Sequence, residues 1–163
     1  MRLFFDTSAL VKYFYEEEGS REVTALITSE ENEIWISELA RLEFLSALLR
    51  RFRNKEISEY KLNTAISGFD EECASFNMEP VGHAVINEAN FLLKKYGKTQ
   101  GLRTLDALHL GTFSLISGDD WIFVTADEGL CGAAQAAGFK ILNPLRKDTA
   151  TGSSADIEQQ ELL

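Results

Sequence analysis

Four acidic residues sit where acids are awkward. Asp6 closes the run RLFFD, and Asp127 follows WIFVTA. Glu43 lies inside LARLEFLSALL, with Leu39 four residues before it and Ala47 four after. Asp106 lies inside RTLDALHLGTF, between Leu102 and Leu110 at the same spacing. A carboxylate left unpaired in apolar surroundings is costly, so each needs a partner. Ordinary partners exist: Asp6 and Asp127 can cap the helices they precede, Glu43 can pair with Arg41 or Arg50, and Asp106 can face the positive end of its helix. Taken together, four half-buried carboxylates repel one another and raise their own pKa values unless cations or bases compensate. Hard divalent cations suit oxygen-only ligand sets and keep several waters. That chemistry is metal-assisted phosphoryl transfer.

Other reactive groups are sparse. His109 lies one turn after Asp106 on the same face, where a histidine is more often a core or supporting residue than a ligand. His83 has no partner pattern. Arg50, Arg51, Arg53 and Lys55 form a basic run at the end of the Glu43 segment; such runs are usually solvated faces and otherwise phosphate contacts. Arg103, just before Asp106, is a comparable candidate. Trp35 and Trp121 fall in strand patterns and read as core. Cys73 and Cys131 are too few for a disulfide framework or a thiolate zinc site. Neither a GxxxxGK[ST] nor a GxGxxG phosphate loop is present, and no GxSxG elbow supports a serine nucleophile.

The elements that must position these acids alternate between strand and helix. Strands are expected at 2–5, 33–37, 76–81, 121–125 and 139–142, and helices at 7–17, 20–30, 38–54, 58–75, 83–96, 104–117 and 127–137. Thr7 or Ser8 is expected near the first N-cap and Ser37 at a later one. Leu42, Leu45, Leu49 and Phe52 recur at helical spacing. This alternation predicts an α/β fold with a mainly parallel sheet. In such sheets ligands bind at the carboxyl ends of the strands, and Asp6 and Asp127 both fall there. A single domain is expected over 1–145, and residues 146–163, with DTATGSSADIEQQELL, read as a disordered tail.

The 163 residues, 45% of them hydrophobic, suffice for one core. No apolar run approaches the ~20 residues that cross a bilayer, and no signal peptide is expected; a cytoplasmic protein with no membrane association follows. The net charge of −10, from 26 acids and 16 bases, is unusual for a binder of polyanions. Such binding requires acids that hold cations or a local basic patch.

The pieces FFDTSALVKYF, SELARLEFLSALLR, RTLDALHLGTF and FVTADEGL resemble, in order and spacing, the PIN-domain nucleases, and most of all the small VapC-like ribonuclease toxins of VapBC toxin–antitoxin pairs. The resemblance covers residue 1 to about 145. It implies a three-layer α/β/α fold and an acidic cluster at Asp6, Glu43, Asp106 and Asp127, holding Mg²⁺ or Mn²⁺ for hydrolysis of RNA phosphodiesters to 5′-phosphate and 3′-hydroxyl ends. It places Thr7, Ser8 and Thr125 beside the site, with His109 nearby. It also implies a protein antitoxin and a homodimer, served by the apolar N-terminal half. Gly111 stands at a small-residue position after DALHL, a mild departure without functional reading. A haloacid-dehalogenase-type phosphatase needs a second Asp where Ser8 stands, and a receiver domain needs paired acids that are missing. The remaining alternative is a catalytically silent PIN fold that binds RNA or protein; the four intact acids argue against it.

Overall fold

The computed structural model describes residues 1–146, so the tail expected at 146–163 lies, apart from Arg146, outside the described residues. The first strand, β1 (Arg2–Phe5), is buried on both faces, as its unbroken apolar run requires. It pairs in parallel with β2 (Glu33–Ser37) on one side and β4 (Trp121–Val124) on the other. The short β3 (Asn77–Glu79) and β5 (Ile141–Leu142) complete the five-stranded order β3-β2-β1-β4-β5. All four pairings are parallel, so the mainly parallel expectation becomes fully parallel.

The period-two alternation of β1 divides the core. Leu3 and Phe5 join Ile34, Ile36 and Val124 against α1 (Thr7–Phe14), α2 (Ser20–Thr28), α3 (Leu39–Arg53) and α4 (Glu59–Cys73). Phe4 joins Trp121 and Phe123 against α5 (His83–Gln100), α6 (Thr104–Ile116) and α7 (Glu128–Ala136). Right-handed crossovers account for this segregation. The chain moves outward from β1 through β2 to β3, then returns to β4 and β5 on the opposite side, so the helices change face. The result is the expected three-layer α/β/α arrangement. Its strand order reverses between β1 and β4, and a crevice opens at their carboxyl ends.

Several local expectations are corrected. Asp6, not Thr7 or Ser8, caps α1, because its extended backbone lets the carboxylate accept from the Ala9 N–H. That helix stops at Phe14 rather than residue 17, where Tyr15 turns extended and its carbonyl accepts from the Ser20 hydroxyl at 2.7 Å. Glu38 occupies the cap position of α3, although the Ser37 hydroxyl accepts from the Leu39 N–H. α5 passes through Gly97 and continues to Gln100; it stops at Gly101, whose φ of +66° suits a residue without Cβ. Trp35 and Trp121 pack together with ring centroids 5.0 Å apart, in keeping with a core role.

On α3 the structure decides what helical spacing left open. Its buried row is Ala40, Phe44 and Leu48, while Leu42, Leu45, Leu49 and Phe52 form an exposed apolar stripe, with Leu42 66% accessible. The helix carries two apolar rows, and spacing alone does not say which one meets the sheet.

Gly111 has a packing role that the sequence left unread. A Cβ there would come within 3.1 Å of the Ala89 nitrogen and 3.3 Å of the Val85 carbonyl oxygen, so α5 and α6 pack backbone to backbone at this point.

Candidate active site

At the reversal point a cleft of about 670 Å³ opens over the carboxyl ends of β1 and β4. Asp6, Glu43, Asp106 and Asp127 all line it. The register Phe5↔Val124, and the Asp6 N–H donating to the Val124 carbonyl at 3.1 Å, bring the two strand-end aspartates to one edge. α3 carries Glu43 in from one layer and α6 carries Asp106 in from the other.

Each carboxylate is held differently. Asp6 is 4% accessible; its Oδ1 accepts from the Ala9 N–H at 3.1 Å and from the Ser8 hydroxyl at 2.8 Å. Burial pushes its pKa up to about 6, against the lowering pull of His109 and those hydrogen bonds. Ser8 also accepts from the Ala126 N–H at 3.0 Å and lies 3.3 Å from the Thr125 hydroxyl. The Thr125 hydroxyl in turn accepts from the Asp127 N–H. Ser8 and Thr125 thus stitch the end of β1 to the end of β4.

Glu43 pairs with neither Arg41, which bonds Asp70, nor Arg50. Instead it accepts from the Thr7 hydroxyl and from His109 Nε2, the latter at 2.5 Å. Because a carboxylate only accepts, Nε2 carries the proton. Burial raises the Glu43 pKa, but these bonds outweigh it and the net shift is downward.

Asp127 caps α7 through Oδ1, accepting from the Leu130 N–H at 2.8 Å. Its Oδ2 accepts from Arg103, at 3.3 Å, and the same guanidinium donates from Nε to Asp106 Oδ2 at 2.9 Å. The structural and the site readings of Asp6 and Asp127 therefore coexist: one oxygen caps a helix while the side chain lines the cleft.

Of the basic candidates, Arg50 and Arg103 line the cleft. Arg51 and Arg53 do not; Arg51 bonds Glu56 and lies over the Tyr15 ring at 4.4 Å. Ser46, which the sequence did not single out, and Ala47, the apolar neighbour of Glu43 one turn on, also line the cleft. The signal was available: Glu43, Ser46, Ala47 and Arg50 fall at i, i+3, i+4 and i+7, one face of a helix.

The donor set is all oxygen, which fits a hard divalent cation. Asp106 and Asp127 already share one cation, the Arg103 guanidinium. The acids nonetheless stand apart: among the described residues, no group of three His, Cys, Asp or Glu side chains converges as a ready metal cage. Within the cleft, Asp106 and Asp127 make paired contacts to Arg103, and Glu43 pairs with His109.

A family model described as the PIN domain matches residues 3–135. No curated protein sequence matches the chain. Among solved structures, FitAcB from Neisseria gonorrhoeae aligns with a TM-score of 0.68 at 17% identity, covering 89% of this chain and 99% of that one. VapBC-1 from nontypeable Haemophilus influenzae aligns at 0.62 and 9% identity, covering 90% and 100%. Mycobacterium tuberculosis VapC20, a sarcin–ricin loop cleaving toxin, aligns at 0.63 and 16% identity, covering 87% and 99%. At these identities the likeness is one of fold.

Proposed function

This chain belongs to the PIN domain family, and from that premise we propose that it is a metal-dependent endoribonuclease, the toxin of a toxin–antitoxin pair. The observation that carries the reading is the convergence of Asp6, Glu43, Asp106 and Asp127, from four separate segments of the chain, on one cleft at the strand-order reversal. Asp6, Asp106 and Asp127 would hold Mg²⁺ or Mn²⁺, with Glu43 as a further ligand or the group that orients water. The bound ion supplies a more acidic water and neutralises charge that builds on the phosphorus oxygens.

The chain's own residues prepare the site. Ser8 and the Ala9 N–H fix the Asp6 carboxylate, while Thr7 and His109 fix that of Glu43. Arg50 and Arg103 set positive charge on a cleft wall in a chain of net charge −10, and that is where an RNA phosphate would be met.

An RNA substrate agrees with the description of one structural relative as a sarcin–ricin loop cleaving toxin. A protein antitoxin agrees with VapBC-1 as a relative. The exposed stripe of Leu42, Leu45, Leu49 and Phe52 supports a protein-covered face, whether by antitoxin or in a homodimer. No helix among the described residues is long and apolar enough to cross a membrane.

The test is incubation of the purified protein with a pool of structured RNAs in Mg²⁺, in Mn²⁺ and in EDTA, beside Asp6→Asn. Cleavage that requires metal and vanishes in the variant is expected. Bound but uncut RNA under every metal would instead identify a catalytically silent binding module.

A further inference from the structure

The guanidinium of Arg103 occupies an unusual position. It stands at the N-cap of α6 without capping it, its side chain is 71% exposed, and it reaches carboxylates on two elements at once. It takes Asp106 Oδ2 through Nε and Asp127 Oδ2 through a terminal nitrogen. Asp127 Oδ1 is already committed to the Leu130 N–H. The oxygen that Arg103 holds is therefore the one that Asp127 can offer to another cation, and on Asp106 the guanidinium holds Oδ2 while Oδ1 has no partner among the described residues.

We propose that Arg103 is a built-in counter-ion that a divalent cation must displace from Asp106 and Asp127, which frees the arginine at the cleft rim to meet a phosphate of the substrate. This inference rests on the metal-dependent reading of the cleft. A divalent ion that takes Asp127 Oδ2 meets the Arg103 guanidinium already there, and two cations at contact distance repel, so the two compete for the pair of aspartates. The fork of arginine is what allows one side chain to bridge two carboxylates; a lysine ammonium is a point charge. Arg103 is a positioning residue in this scheme, acting through the two aspartates before it meets substrate.

The experiment is a Mn²⁺ titration of the full chain followed by the electron paramagnetic resonance signal of free Mn²⁺, for wild type, Arg103→Ala, Arg103→Lys and Asp106→Asn. Two partly exposed ion pairs are lost in Arg103→Ala, so Mn²⁺ is expected to bind roughly threefold to tenfold more tightly. Arg103→Lys should fall between, and Asp106→Asn should bind more weakly than wild type. Thermal stability of Arg103→Ala without metal should stay close to wild type, which separates competition from a structural effect. Wild-type binding with unchanged or weaker affinity in Arg103→Ala overturns the displacement and leaves the metal site standing. Absence of Mn²⁺ binding in both proteins overturns the site reading and the displacement together.

Discussion

His109 Nε2 donates to Glu43 Oε2 across 2.5 Å, joining α6 on one face of the sheet to α3 on the other. The imidazole is 2% accessible, and the Thr7 hydroxyl completes the contact from the start of α1. One polar node thus clamps three elements over the carboxyl end of β1.

Loss of that node is expected to be costly. His109→Ala removes a buried ring and strips Glu43 of its strongest donor, for a loss of about 2–4 kcal/mol in urea unfolding. The lowered pKa of Glu43 sets the pH sign. Its contribution is present above the unfolded carboxylate value of 4.5 and is lost as pH falls through the lower folded value. The difference between wild type and His109→Phe should therefore shrink below pH 4.5; a constant difference would contradict the Glu43 assignment.

Asp6 carries the opposite sign. Its folded pKa of about 6 lies above the ordinary 3.8, so its ionisation opposes folding as pH rises through that window. Asp6→Asn keeps an acceptor for the Ala9 N–H and removes the charge. It is expected to gain up to roughly 3 kcal/mol above pH 6 and nothing below pH 3.8, at 1.36 kcal/mol per pKa unit. Urea midpoints from pH 3.5 to 7.5 measure this, and equal midpoints across the range would refute it. Loss of cleavage with gain of stability in one variant would mark a site held at a cost to the fold.

Gly111 governs the approach of α5 to α6. A methyl group there would crowd backbone atoms that cannot rotate away. Overpacking of about 1–3 kcal/mol exceeds the ~1 kcal/mol of helix propensity that alanine adds. Gly111→Ala is therefore expected to lose about 1 kcal/mol, read from chemical unfolding. A stabilised variant would show that the helices can part without cost.

The two neighbouring arginines on α3 should separate. Arg50 lines the cleft, whereas Arg51 is tied to Glu56 and the Tyr15 ring. Arg50→Ala is expected to weaken RNA binding and to reduce the slope of log K against log salt by about 0.7, the value for one phosphate contact on a single strand. Arg51→Ala should leave that slope unchanged. Equal effects would mean that the basic run acts as one diffuse patch.

By itself the sequence determined a mainly parallel α/β sheet and the edge of it on which the strand-end acids lie. Unbroken apolar strands alternating with amphipathic helices admit few arrangements besides a parallel sheet covered on both faces. An acid at or just beyond the end of such a strand lies at its carboxyl edge, so Asp6 and Asp127 were legible as neighbours from local pattern. Glu43 and Asp106 stood out because their helical surroundings are apolar. The tertiary structure alone decided what each of these acids touches. It gave Glu43 to His109 rather than to Arg41 or Arg50, gave Asp106 and Asp127 to Arg103, and turned Leu42, Leu45, Leu49 and Phe52 outward while Phe44 and Leu48 went in. It also made Gly111 a contact point between helices. The reason is physical: periodicity fixes which residues share a face of one element, but the partner of a polar group and the helix row that is buried depend on atoms distant in sequence, brought within a few ångströms only when the layers close.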